Sequence, residues 1–138
     1  MSRRDSRIAA FTLLFESDFH PDLKYSEIYD QAEEVRELNM DSFAKKLYET
    51  ATENIAEIDK TIEETSKNWK IKRMSAVSRS IVRLAVAEIS YTEVPPKVAI
   101  NEAVEIAKLY DDEKAPAFIN GILNTVARAI GKIATDEQ

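Results

Sequence analysis

Apolar side chains recur at intervals of three and four along most of this chain, the spacing that lays one stripe down a helix. Ile8, Phe11, Leu14 and Phe15 form the first stripe, and Ser2 with Asp5 supplies a capping box, predicting a helix over about 3–17. His20-Pro21-Asp22 interrupts it. Ser26 then caps a short helix carrying Ile28, Ala32 and Val35 to about Leu38, and Asp41 opens the next. Phe43, Leu47, Ala51, Ile55, Ile58 and Ile62 continue one stripe, with a possible bend and new cap at Asp59. Ser75 starts a helix that turns Val77, Ile81, Leu84, Ala85 and Ile89 inward, and Pro95-Pro96 closes the connection after it. A helix over 98–110 follows. Pro116 suits the first turn of the last one, whose Phe118, Ile119, Ile122, Leu123, Val126, Ile130 and Ile133 give the clearest periodicity.

No stretch alternates as a strand does, so the pattern predicts an all-α domain of six or seven helices. Composition agrees. Two glycines and four prolines in 138 residues are too few for hairpin-rich β architecture or for a glycine-lined phosphate loop. With no cysteine, disulfides, thiolate nucleophiles and sulfur-ligated zinc are excluded. No long uncharged apolar run marks a leader or a membrane span, which leads us to expect a cytoplasmic protein.

Charge changes the picture more. The net charge of −6 is unevenly spread: residues 1–10 carry +2 (Arg3, Arg4 and Arg7 against Asp5), and residues 66–83 carry +6 without any acid. Taking +2 and +6 from −6 leaves −14 on the remainder. Runs of like charge are often plain solvated helix faces. Here, however, Arg3 and Arg7 stand four apart at a helix N-terminus, whose dipole also favours anions, and Arg79 and Arg83 repeat that spacing. Two arginine faces point to a polyanion. Trp69 between Lys67 and Lys70 has the chemistry to stack a base, but a sole tryptophan in a small helical protein is more often a packing residue.

Catalytic chemistry is thin. His20 is the single imidazole and sits beside a proline, so neither a histidine-activated nucleophile nor a multi-histidine metal site can be assembled. Asp111-Asp112-Glu113 has no calcium-loop spacing and reads as a solvated linker. We therefore expect a binding protein without cofactor, metal or catalytic residues.

Four blocks in order resemble the NusB family of transcription antitermination factors. They are Ser2-Arg3-Arg4-Asp5-Ser6-Arg7 with Ala10-Phe11-Thr12-Leu13-Leu14-Phe15; Trp69-Lys70-Ile71-Lys72-Arg73-Met74 with Val77 to Ala85 and Glu88-Ile89; Val98 to Lys108; and Phe118-Ile119-Asn120-Gly121-Ile122-Leu123. The resemblance covers nearly the whole chain. It implies two packed three-helix bundles, here helical subdomains of about 1–58 and about 59–138 within one domain. It implies binding of boxA RNA in ribosomal RNA leader transcripts jointly with NusE, a small-subunit ribosomal protein, and entry into the RNA polymerase antitermination complex. By position, Arg3, Arg4, Arg7, Arg83, Lys114 and Phe118 fall at the RNA, and Phe15, Ser78 and Arg79 at NusE. Phe118 also shares a stripe with Ile122 and Val126, which suits a core role equally.

Two departures stand out. Ser78 replaces an acid that usually faces NusE, and Ala115-Pro116 replaces a serine that commonly begins the last helix, with Lys114 where an acid is often found near RNA. The competing class is a protein-only helical scaffold or homodimer, favoured by the acidity outside the two islands. A NusB-like domain also occurs fused to a ribosomal RNA methyltransferase, but this chain has neither room for a catalytic part nor a glycine-rich cofactor loop.

Overall fold

The computed structural model describes residues 1–36, 40–65 and 68–134. Leu38, the expected end of the second helix, and Lys67 of the basic island lie outside the described residues. The described chain has seven α-helices and no strand: α1 (Arg3–Ser17), α2 (Tyr25–Arg36), α3 (Ser42–Glu53), α4 (Ile55–Thr65), α5 (Ala76–Tyr91), α6 (Pro96–Tyr110) and α7 (Ala115–Ala129), with a 3₁₀ turn at Ile71–Arg73. They form two three-helix bundles. α1 packs on α2 and α3, while α5, α6 and α7 pack on one another. α5 also lies against α1 and α3, joining the bundles, and α4 rests on α5 and α7.

Local chemistry explains most boundaries. The Ser2 hydroxyl accepts the Asp5 N–H at 3.0 Å and the Asp5 carboxylate accepts the Ser2 N–H at 3.4 Å, completing the capping box of α1. Asp41 caps α3 through the Ala44 N–H at 2.8 Å, and its other oxygen accepts the Ser6 hydroxyl at 2.7 Å, tying the start of α3 to α1. Ser75 caps α5 through the Ser78 N–H.

Four expectations are corrected. α2 begins at Tyr25, one residue before the predicted Ser26 cap; the Glu27 carboxylate accepts the Lys24 N–H at 3.3 Å there. Val35, expected inward, is 79% exposed, because it borders an open groove with His20 and Leu23. The break in the long stripe falls at Asn54, not Asp59: Asn54 leaves helical geometry (φ −116°, ψ 18°) and its amide donates back to the Thr50 carbonyl. Position 58 accordingly lies inside α4. Finally, α7 stops at Ala129, where Gly131 takes φ +76° and the Gly131 and Lys132 N–H groups donate to the Arg128 and Ala127 carbonyls. This is a Schellman ending, and it turns Ile130 and Ile133 back onto the core beyond the helix end.

The core runs through both bundles, with Leu13, Leu14, Tyr48, Ile58, Ile62, Val82, Val86, Ile89, Ile119, Ile122, Leu123 and Val126 fully enclosed. Tyr48 shows how its few polar atoms are satisfied. Its hydroxyl donates to the Tyr25 carbonyl at 2.9 Å and lies 3.1 Å from the Ser17 hydroxyl, and burial pushes the phenol pKa up to about 12. No helix among the described residues is long and apolar enough to cross a membrane.

Candidate nucleic-acid interface

The first basic island resolves into two layers. Arg3 and Arg4 are exposed on the first turn of α1, but Arg7, expected beside them on an exposed face, is buried. The reason is Glu88, a carboxylate that α5 carries into the interior beneath α1. The Arg7 Nε donates to Glu88 Oε1 and Oε2 at 2.9 and 3.1 Å, and its Nη2 to Oε2 at 2.5 Å, with side chains 7% and 3% exposed. Arg4 grips Glu102 of α6 through Nε and Nη2 at 3.1 and 2.9 Å. That hydrogen bond is the main reason Glu102 sits below its ordinary carboxyl pKa, against a smaller opposing effect of burial. Arg3 lies over the Phe43 ring, 4.2 Å from its centre.

The second island is also not a free cationic face. Arg79 and Arg83 do share one side of α5, as their spacing requires, but acids from other helices meet them. Arg83 donates from Nε and Nη2 to both oxygens of Asp59 at 2.8 and 2.7 Å, and from Nη1 to Asp18 at 3.3 Å. Burial works to lower its pKa, yet hydrogen bonding and charge from Asp59, with the Asp18 charge, hold it above the ordinary guanidinium value. Arg79 donates to Asp18 at 3.0 Å and to the carbonyls of Ile71 and Met74, pinning the 3₁₀ turn to α5.

Lys114 and Phe118 lie elsewhere, at an open cleft of about 430 Å³ between the starts of α5 and α7. Phe118 is 40% exposed, so the apolar stripe of α7 does not bury it. Trp69, Lys70, Arg73 and Ser78 line the same cleft. Ser78, expected on a partner surface, is itself buried and donates to Asp111 at 2.6 Å. Asp112 accepts the Lys114 and Ala115 N–H groups at 3.0 and 2.9 Å, so two members of the predicted solvated linker are structural. Glu88, level with Arg7, and Ser75, at the cleft, are thirteen residues apart along α5, about 20 Å. The predicted RNA residues thus fall at two ends of that helix, with Arg83 between them and turned toward α4.

Phe15 belongs to a row of rings. Phe19 and Phe15 meet edge-on at 5.1 Å, Phe15 and Phe11 at 6.3 Å, and Phe11 and Tyr110 at 5.5 Å. Phe19 and Tyr110 at its ends, with the adjacent Leu109, are exposed.

Sequence reasoning missed Asp18, Asp59, Glu88 and Glu102 as partners of the arginines, and the union of Trp69, Lys70 and Arg73 with Phe118. Only Glu88 carried a local signal, as the lone acid in the apolar run from Ile81 to Ile89. No group of three or more potential metal ligands occurs among the described residues.

The fold is thus two helical bundles with exposed arginines at one end and a basic, aromatic cleft at the other. The chain belongs to the NusB family, whose sequence profile matches residues 4–128. It is 42% identical over 131 residues to transcription antitermination protein NusB of Pediococcus pentosaceus, covering 93% of this chain and 98% of that one. Among solved structures, T. maritima NusB superposes with a TM-score of 0.81 at 33% identity, covering 93% of this chain and 92% of that one. A chain in the crystal structure of antitermination factors NusB and NusE in complex with dsRNA superposes with a TM-score of 0.78 at 33% identity, covering 92% of this chain and 96% of that one.

Proposed function

We propose that this chain is a cytoplasmic antitermination factor that binds boxA RNA of ribosomal RNA leader transcripts together with NusE and joins the RNA polymerase complex to suppress premature termination. The observation that carries this reading is the likeness over 92% of the chain to a protein crystallised with NusE and dsRNA. The protein acts by binding, with no catalytic step. Arg3 and Arg4 supply phosphate contacts at the α1 end, Lys114 and Phe118 supply contacts at the cleft, and Arg7 and Arg83 hold the helices that present them. The aromatic row through Phe15 receives NusE, with Arg79 fixing the carbonyls of Ile71 and Met74 and Ser78 holding the Asp111 carboxylate next to Tyr110. The N-terminal bundle and the C-terminal bundle act as two subdomains of one body, and the strand of RNA runs along the C-terminal bundle from one patch to the other.

Filter binding to boxA RNA and to a scrambled RNA, each with and without NusE, tests the reading. The body outside the basic islands carries −14 and repels RNA, so a basic partner offsets that field. We expect preference for boxA and stronger binding with NusE; equal affinity for both RNAs under all conditions refutes it.

A further inference from the structure

α2 and α3 each pack on α1, and a cavity of about 350 Å³ opens between them, within the size range of small-ligand sites. Three of the five tyrosines line it: Tyr48 is fully enclosed, Tyr29 is buried beside it with the ring centres 6.1 Å apart, and Tyr25 is half-buried. Burial pushes the Tyr29 phenol up to about 12, and Glu33 (by its charge and a hydrogen bond), Glu49 and Asp30 push it the same way, so the wall stays neutral. Three carboxylates stand at the rim, Asp30 from α2 and Glu49 and Glu53 one turn apart on α3. All three are exposed, and none makes an ion pair among the described residues. One cation is already at the site. The Lys45 ammonium lies over the Tyr29 ring, 5.4 Å from its centre, and forms no ion pair with Glu49 one turn further along α3. Lysine before glutamate is the weaker order for such a helix pair, and the ring face holds the ammonium instead. Three carboxylates against one ammonium leave two negative charges uncompensated around an aromatic wall.

We infer that this cavity is a binding site for a linear polyamine, one ammonium taking the place of Lys45 over the Tyr29 ring and the others pairing with Asp30, Glu49 and Glu53. An aromatic face attracts ammonium through its quadrupole, and the alkyl segments between the charges lie against the tyrosine rings. Acids on two different helices call for more than one positive charge on the ligand. A divalent metal ion suits the place poorly, because it needs several oxygens converging on one point, and no group of three or more potential ligands does so among the described residues. Lys45, exposed on the first half of α3, is the group displaced. The site does not depend on the RNA-binding reading and involves none of the residues assigned to RNA or NusE.

The full chain, free of RNA, is titrated with spermidine at low salt by calorimetry and by NMR with isotope-labelled tyrosine rings. We expect one saturable site, with the Tyr25, Tyr29 and Tyr48 signals shifting along the isotherm while those of Tyr91 and Tyr110, outside the cavity, stay in place. Magnesium at matched ionic strength should leave the three signals unmoved, and N-acetyl-lysine methylamide, with a single ammonium, should bind much more weakly than spermidine. Glu49→Gln with Glu53→Gln changes only exposed residues and should weaken spermidine binding roughly 2- to 30-fold, the range for two exposed charge pairs. Lys45→Gln should tighten it, and by more than Lys46→Gln, which makes the same change of charge on a residue that does not line the cavity. Tyr29→Phe should bind as wild type does, and Tyr29→Leu should lose roughly 2- to 5-fold, the range for one exposed cation–π contact. No saturable heat with spermidine overturns the site. So do shifts of the three tyrosines by magnesium as large as those by spermidine, equal affinity for lysine methylamide, or equal effects of Lys45→Gln and Lys46→Gln.

Discussion

Removing Arg7 should unfold the protein far more readily than removing either of its two neighbours in the same basic run. Arg7→Ala leaves Glu88, 3% exposed, without the guanidinium that supplies three hydrogen bonds of 2.5 to 3.1 Å. Glu102 cannot compensate: it is a second acid, 3.8 Å from Arg7 in the intact protein. Breaking a buried pair by deleting one member costs about 3–5 kcal/mol, because the survivor keeps its desolvation penalty. At roughly 3–5 °C per kcal/mol for a chain of this length, the melting temperature should fall by about 10–25 °C. Arg7→Met combined with Glu88→Leu removes both charges, fills the space with apolar atoms, and should be more stable than Arg7→Met or Glu88→Leu alone. Thermal and urea unfolding followed by circular dichroism, closed as a double-mutant cycle, measures the coupling. Arg3→Ala, at an exposed position, should melt close to wild type, and Arg4→Ala, which loses only a partly exposed pair with Glu102, should fall far less than Arg7→Ala. A loss below about 1 kcal/mol for Arg7→Ala, or additive effects in the cycle, refutes the buried-pair argument.

Three further outcomes follow from the same contacts. Ser78→Asp puts a second carboxylate against Asp111 at a buried position, so it should lower the melting temperature at pH 7 and recover part of the loss near pH 5, as one of the two acids protonates. Gly131→Ala keeps open space around the new methyl group but must hold φ +76°, so urea unfolding should show a cost of about 1 kcal/mol from the backbone alone. Asp41, held low first by the Ala44 N–H and then by the Ser6 hydroxyl, and Glu102, held low first by the Arg4 hydrogen bond, have folded pKa values below their unfolded ones. Their stabilisation is therefore complete above the unfolded values, about 4, and is lost as pH falls through the folded ones. Melting temperatures between pH 2 and 6 should fall less steeply in Asp41→Asn/Glu102→Gln than in wild type, and parallel curves contradict the assignment.

Helix identity and most starts were legible because caps are local: Ser2, Asp41 and Ser75 each satisfy an N–H three residues on. Ends were less so. The stripe through Ala51, Ile55 and Ile58 crosses the break at Asn54 without a change of period, because α3 and α4 bury their apolar sides in the same core. Ile130 and Ile133 likewise extended the apparent last helix, since a Schellman turn keeps them packed after the helix has ended. The charge map was the larger surprise. Arg79 and Arg83 stand without acids only in sequence; Asp18 and Asp59, on α1's C-cap and on α4, lie 24 to 65 positions away and neutralise them in the fold. No spacing rule reaches that far. Among the described residues, the second island's cations without an acid partner include Lys70 and Arg73, which sequence alone did not separate from the arginines that follow them.

The salt dependence of RNA binding tests the central claim most directly. Log affinity for single-stranded boxA RNA is measured against log salt for wild type and for Arg3→Ala/Arg4→Ala, with the fold of each checked by circular dichroism. Taking away two arginine–phosphate pairs on a single strand should lower the slope by about 1.4 while the helical spectrum stays the same. A folded double variant with the wild-type slope would contradict an RNA surface at the start of α1.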